Sequence, residues 1–136
     1  MKANKKLNTG LIKFTFEDED GEVFSSFRMN PTDVNLMKRA MEVSDYFHKR
    51  GNDIGNDIDS VVDFNKELEE KINYLLGYDA SSSIFGEITA TTITPDGRIF
   101  AEIVFEFISE KLAPEIAKRK QNMQSKMDKY TGKYLK

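Results

Sequence analysis

The feature that most constrains the fold is the apolar run IFAEIVFEFI at residues 99–108, in which only Glu102 and Glu106 are charged. So dense an apolar segment must lie in the core of whatever structure forms. If it is helical, Ile99, Ile103 and Phe107 fall on one face and the two glutamates mark the solvent side. If it is extended, apolar residues occupy both faces, which a buried strand tolerates. The run alone therefore leaves helix and strand open, with the helix slightly favoured.

The residues that precede this run allow the same two structures. Thr94-Pro95-Asp96-Gly97 can form a β-turn that joins residues 87–94 to the apolar run as a hairpin. It can equally begin a helix, with Thr94 as the cap and Pro95 at the first helical position. On the other side, Pro114 either kinks one long helix or begins a new one after Leu112.

The N-terminal part of the chain is predicted to form a β-hairpin at about residues 11–29. Residues 1–10 are polar and are expected to fray. Leu11–Phe16 and Val23–Met29 are short segments rich in β-forming residues, and each places its apolar side chains on one side when extended. The acidic segment 17–22 between them contains Asp20-Gly21, which favours a tight turn.

Two helices are predicted to follow, at residues 31–50 and 59–76. Asn30 is the predicted cap of the first helix and Pro31 its first residue. The expected apolar stripe of the first helix consists of Val34, Met37, Met41 and Phe47, widened by Leu36, Ala40 and Val43. That of the second consists of Val61, Phe64, Leu68, Ile72 and Leu75. Residues 51–57 have the composition of a linker.

The last part of the chain predicts a basic amphipathic helix at residues 114–131. One face of this helix carries apolar and aromatic residues and the opposite face carries Lys, Arg, Gln and Asn. The expected architecture is therefore mainly α: the hairpin, followed by a bundle of about four helices. A chain of 136 residues is long enough to form one domain with its own core.

The sequence offers no catalytic, cofactor-binding or metal-binding signature. Cysteine is absent and His48 is the only histidine, so thiolate and catalytic-triad chemistry find no support. The acidic segments 18–21 and 52–59 lack the ligand spacing of an EF-hand loop. No apolar stretch approaches the ~20 residues that cross a bilayer. We expect a non-enzymatic protein without a cofactor, outside the membrane.

Two uses of the terminal helix remain open from the residues themselves. Basic residues interleaved with Tyr130 and Tyr134 can bind single-stranded nucleic acid. A pI near 5.3 argues against that partner. The face that carries Met123 and Met127 can instead bind other helices, including a second copy of the chain, because methionine surfaces adapt to several partners.

The order of these segments resembles small tail assembly chaperones of long-tailed phages and prophages of Gram-positive bacteria. FRMNPTDVNLMKRA at 27–40 resembles the strand, Asn-Pro and first helix that open such proteins. Ile84-Phe85-Gly86 resembles the motif before their last helical region, and KMDKYTGKY at 126–134 resembles their basic ending. The resemblance implies a mostly helical fold, and it thereby favours a helix at 95–112.

The resemblance also implies a role in the bacterial host cytoplasm. Such chaperones hold the tape-measure protein in solution and recruit tail-tube proteins, without catalysis. Nucleic-acid-binding adaptor and structural tail protein are the alternative functions. On the chaperone hypothesis, the terminal helix supplies a partner-binding face with a basic rim. The face comprises Ile116, Met123, Met127 and Tyr130, and the rim comprises Lys118, Arg119, Lys120 and Lys126.

Overall fold

The structure, a computed structural model, describes residues 3–50 and 57–134 and confirms the mainly helical architecture with an N-terminal hairpin. Its elements in chain order are β1 (Ile12–Glu17), β2 (Val23–Met29), α1 (Val34–Arg50), α2 (Ile58–Leu76), α3 (Ser81–Ile84) and α4 (Phe100–Tyr134). The hydrophobic core takes side chains from β2, from all four helices and from the segment between α3 and α4.

The hairpin pairs β1 and β2 antiparallel, with Phe14 opposite Phe27 and an irregularity after Phe16. Its turn spans Asp18 to Glu22, where the Gly21 N–H donates to the Asp18 carbonyl at 3.0 Å and Gly21 has a φ of 80°. This is the pattern of a three-residue hairpin loop with a glycine bulge. The predicted hairpin is therefore confirmed, with the acidic residues at its tip.

One face of the hairpin packs on α4 through aromatic rings. The Phe107 ring centroid lies 5.7 Å from that of Phe14, 4.9 Å from that of Phe16 and 6.2 Å from that of Phe27. The outer edge of β2 is covered by the segment after α2, because the Arg28 N–H donates to the Tyr78 hydroxyl at 2.9 Å. A two-stranded hairpin is marginal alone, and these contacts fix it to the helical part of the protein.

Helix α1 begins at Val34, three residues later than the sequence predicted. The Asp33 side chain, and not that of Asn30, accepts a hydrogen bond from the helix, from the Asn35 N–H at 2.9 Å. Pro31 lies buried in the preceding turn. The stripe also differs from the prediction: Leu36 and Val43 are the buried residues of α1, whereas its predicted members Val34 and Met41 are exposed.

Helix α2 agrees closely with its prediction. Asp57 caps it, and the carboxylate accepts hydrogen bonds from the Ser60 N–H at 3.2 Å and the Ser60 hydroxyl at 2.6 Å. These bonds lower the pKa of Asp57. The predicted stripe is buried except for Val61, which is partly exposed, and Gly77 ends the helix with a φ of 81°. The predicted linker at 51–57 lies outside the described residues apart from Asp57.

Side chains along the surface join α1 to α2. Tyr46 donates its hydroxyl proton to Glu67, and this bond raises the pKa of Tyr46. Glu67 also pairs with Arg50 at 2.6 Å. Arg39 donates to the Leu75 carbonyl near the other end of α2 at 3.1 Å. These bonds hold the two helices in a fixed orientation.

The segment before α4 combines the two structures that the sequence left open. Thr94 to Arg98 form a turn in which the Gly97 N–H donates to the Thr94 carbonyl at 2.9 Å, and a single antiparallel bridge joins Ile93 to Ile99. The helix then begins at Phe100. The predicted helix start at residue 95 is therefore wrong, because the turn closes a one-bridge hairpin before the apolar run becomes helical.

Helix α4 is one continuous helix from Phe100 to Tyr134, with Pro114 inside it. The predicted division into helices 95–112 and 114–131 is wrong at this point. A proline removes the N–H that would bond to the carbonyl four residues earlier. That carbonyl belongs to Glu110, which is exposed, so water can replace the missing donor. A helix of this length spans about 50 Å, and its second half extends the helix that fills the core.

Candidate functional site

All residues of the predicted partner-binding face lie on the second half of α4, here called the arm (residues 115–134). Lys118, Lys120 and Lys126 are exposed, as are Met123 and Met127. Ile116 and Arg119 are half-buried, and Tyr130 is helical but its side chain lies outside the described parts of the chain. The arm therefore presents two large apolar side chains to solvent, with 60% of Met123 and 57% of Met127 exposed.

The apolar face of the arm continues the half-buried edge of the core-facing side of α4. At 100° per residue, Phe105, Leu112, Met123 and Met127 fall within one narrow sector of the helix. Phe105 and Leu112 are half-buried against the core, and further along the same sector both methionines remain more than half exposed among the described residues. Exposed apolar surface next to a core face is typical of a binding surface.

A groove lies beside the first half of α4 and leads onto this face. It has a volume of about 950 Å³ and runs between α1 and α4 over α2. Its apolar lining includes Val43 and Phe47 from α1, Phe64 from α2, and Phe105 and Leu112 from α4. The groove and the apolar face of the arm form one elongated surface along α4. We name this surface the α4 face.

The polar residues of the groove are mainly acidic on the α4 side. Glu102 and Glu106 line it from α4, and Ser44 and His48 line it from α1. Glu106 accepts a bond from Arg98 at 2.6 Å, but both side chains are about half exposed, so water screens this pair. The groove thus has an apolar floor and an acidic edge.

The arm has the opposite charge. Lys118, Lys120, Lys126 and Lys129 are exposed along it. Asp128 accepts a hydrogen bond from Gln124 at 2.8 Å, and Glu115 pairs with Arg119 at 3.3 Å. Along α4, the charge therefore changes from acidic beside the groove to basic on the arm.

Arg119 does not belong to the rim of the arm, where the sequence placed it. Its guanidinium donates to the Gly10 carbonyl at 2.7 Å, to the Asn30 side-chain oxygen at 2.8 Å and to the Thr32 hydroxyl at 3.3 Å. Asn30 in turn donates to the Thr9 carbonyl at 2.6 Å. Arg119 therefore ties the arm to the segment before β1 and to the turn before α1.

Gly10 fits this contact for two reasons. Its φ of 87° is one that residues with a side chain rarely adopt. A Cβ at this position would lie 2.5 Å from Nη1 of Arg119. Sequence reasoning missed the contact because residues 10 and 119 are distant in the chain, and no local pattern indicates their pairing.

Metal-binding clusters and membrane-spanning helices were sought among the described residues. Residues 3–50 and 57–134 contain no group of three or more His, Asp or Glu side chains that could hold a metal ion. Over the same residues, none of the helices combines the length and the apolar character that a membrane-spanning helix requires. The arrangement can bind another apolar, charged surface.

Comparisons with known proteins do not add to this description. No model of a protein family matches the chain, and searches of curated proteins and of solved structures find no similar protein. The fold and the α4 face define a mainly helical protein with a partly uncovered helix.

Proposed function

We propose that this protein is a non-enzymatic assembly chaperone that binds a helical segment of another protein along its α4 face. The single observation that carries the proposal is the exposure of Met123 and Met127 on the sector of α4 that, further back, holds the half-buried Phe105 and Leu112. An amphipathic helix that lies on this surface would bury both methionines and enter the groove. Methionine side chains are flexible, which suits reversible binding to more than one sequence.

The resemblance to phage tail assembly chaperones supports a particular partner. We propose that the bound segment belongs to a tape-measure protein and that the complex recruits tail-tube subunits in the host cytoplasm. A long, helical and aggregation-prone protein presents apolar stripes that a surface of this kind can cover. The rim then consists of Lys118, Lys120 and Lys126, without Arg119, because Arg119 is bound within the protein.

Co-expression with fragments of a long helical protein encoded beside this chain would test the proposal. We expect Met123→Lys together with Met127→Lys to abolish capture of the fragment. Met41→Lys is a matched control, because Met41 is 70% exposed on α1 and does not line the groove. Point variants are sharper than deletion of the arm, since deletion would also remove Arg119. Capture that survives the double substitution would refute the assignment of the α4 face.

Binding of nucleic acid is the alternative that the exposed lysines of the arm support. It predicts oligonucleotide binding that weakens steeply with salt. It also predicts that Lys120→Gln and Lys126→Gln weaken binding, whereas Met123→Lys and Met127→Lys add positive charge and do not weaken it. The opposite pattern, with loss of protein capture on methionine substitution, supports the chaperone.

A further inference from the structure

We propose that two copies of this protein pair antiparallel along α4, so that the arm of each copy lies in the groove of the other. The inference rests on the proposed function in one respect: both use the α4 face as a helix-binding surface. It adds that a second copy of the chain occupies the α4 face when no other partner is bound. In a two-fold pair the same patch serves both copies, which requires a surface that complements itself.

The spacing of residues along α4 provides that self-complementarity. In an antiparallel pair of helices with Ile116 on the two-fold axis, Met127 lies opposite Phe105 and Met123 lies opposite Ser109. Phe105 and Ser109 both line the groove. Each exposed methionine of one copy therefore meets the groove of the other. The contact extends about 16 Å to either side of the axis.

The charges of the two regions agree with this arrangement. The antiparallel pair brings the arm of one copy, with the exposed Lys120 and Lys126, alongside the groove of the other, whose edge carries Glu102 and Glu106. A parallel pair would instead place the two arms side by side and leave both grooves empty. The opposite charges of the arm and the groove thus favour the antiparallel arrangement.

The chemistry of the two surfaces also suits their contact. The groove has a volume of about 950 Å³ and a partly apolar lining, and methionine fills irregular apolar space well. Ile116 is half-buried within one copy, and it lies between the end of the groove and the methionines. The self-paired state therefore protects the α4 face until a partner helix displaces the second copy.

A single introduced cysteine tests the two-fold register, because the natural chain contains none. Ile116→Cys places the two thiols on the axis, where mild oxidation of the full chain should join two copies. Met123→Cys is the matched control, since in the antiparallel pair its two copies are about 21 Å apart along the helices. Initial rates are compared at equal low protein concentration on non-reducing gels. Faster cross-linking of the 116 variant supports the proposal, while equal rates or no cross-linking would overturn it.

A lysine substitution gives a second, independent measurement. We expect the unmodified chain to sediment as a dimer in analytical ultracentrifugation. Met127→Lys should weaken dimerisation at least several-fold, because Met127 of each copy lies opposite Phe105 of the other, whereas Met41→Lys should leave it unchanged. Both methionines are exposed in one copy, so the fold itself should survive, as circular dichroism would verify. Equal dimerisation of the two variants would refute the proposed register.

The two proposals fail in different ways. A chain that stays monomeric and yet captures a helical fragment through its methionines refutes the dimer and leaves the chaperone function intact. A dimer that cross-links at residue 116 and captures no fragment supports the pairing and refutes the function. A rising concentration of the captured fragment should also slow cross-linking at residue 116, since both occupy the α4 face.

Discussion

Replacement of Arg119 by methionine should destabilise the protein, although Arg119 lies on a surface helix. Met retains most of the aliphatic stem but removes the guanidinium. The change deletes donors to the Gly10 carbonyl at 2.7 Å and to the Asn30 side chain at 2.8 Å. Hydrogen bonds from a charged donor each contribute about 1.5–3 kcal/mol at best. The Arg119 side chain is 23% exposed, so water competes for both acceptors.

We therefore expect Arg119→Met to lower the free energy of unfolding by about 2 kcal/mol, or to lower Tm by roughly 6 °C. Urea and thermal unfolding measure the loss. Hydrogen exchange should show its location, with faster exchange in β1 and in the turn at residues 30–33. Lys118→Met is the matched control, because Lys118 is an exposed neighbour with the same charge.

A double-mutant cycle with Gly10 tests the contact directly. Gly10→Ala should destabilise the protein both through its positive φ and through the close approach of Cβ to Arg119. In the Arg119→Met background the second contribution should shrink, so the two losses should not add. The reasoning is refuted if Arg119→Met and Lys118→Met agree within about 0.5 kcal/mol, or if the cycle is additive.

Four further substitutions test the local structure. Pro114→Ala should stabilise α4 by about 1–3 kcal/mol, because the proline lies inside a helix. If thermal unfolding shows no rise in Tm, the result would instead fit a helix that starts at Pro114. Gly97→Ala should lower the free energy of unfolding by about 1 kcal/mol, because Gly97 has a φ of 88°. Gly132→Ala should instead raise it, because Gly132 lies in the helical arm. If both substitutions change the free energy of unfolding in the same direction in urea titrations, these backbone conformations are contradicted. In the folded protein the Asp57 pKa lies below its usual 3.8. The cap therefore stabilises the folded protein at pH values above 3.8, and this stabilisation is lost as the pH falls through the pKa of the folded state. Asp57→Asn keeps a cap that does not titrate, and it should give a shallower loss of stability below pH 4 in acid titrations followed by circular dichroism.

The continuity of α4 has a mechanical consequence for the proposed function. A helix that is anchored in the core at Val104 and Ile108, both buried, can hold an extended arm in a defined direction. The tie from Arg119 to Asn30 fixes the arm near its base. A partner that binds beyond this point then meets a preorganised helix and need not order a flexible tail. Such preorganisation reduces the entropic cost of binding.

The elements with local signals could be predicted from the sequence. The Asp20-Gly21 turn between two β-forming segments identified the hairpin, and the spacing from Phe64 to Leu75 identified α2 and its buried face. Both signals depend on neighbouring residues, because turn chemistry and helical periodicity act over a few positions. The basic, amphipathic pattern of the arm also depends on neighbouring residues. In the structure, the arm has exposed lysines together with the exposed Met123 and Met127.

The features that depend on distant residues became apparent in the folded protein alone. The sequence could not show that the helix continues through Pro114, because a proline inside a helix and one at its start obey the same local rules. The pairing of Arg119 with Gly10 spans most of the chain. The groove exists because α1, α2 and α4 come together at its sides and floor. Packing between elements fixes these features, and single-sequence patterns carry no information about which elements meet.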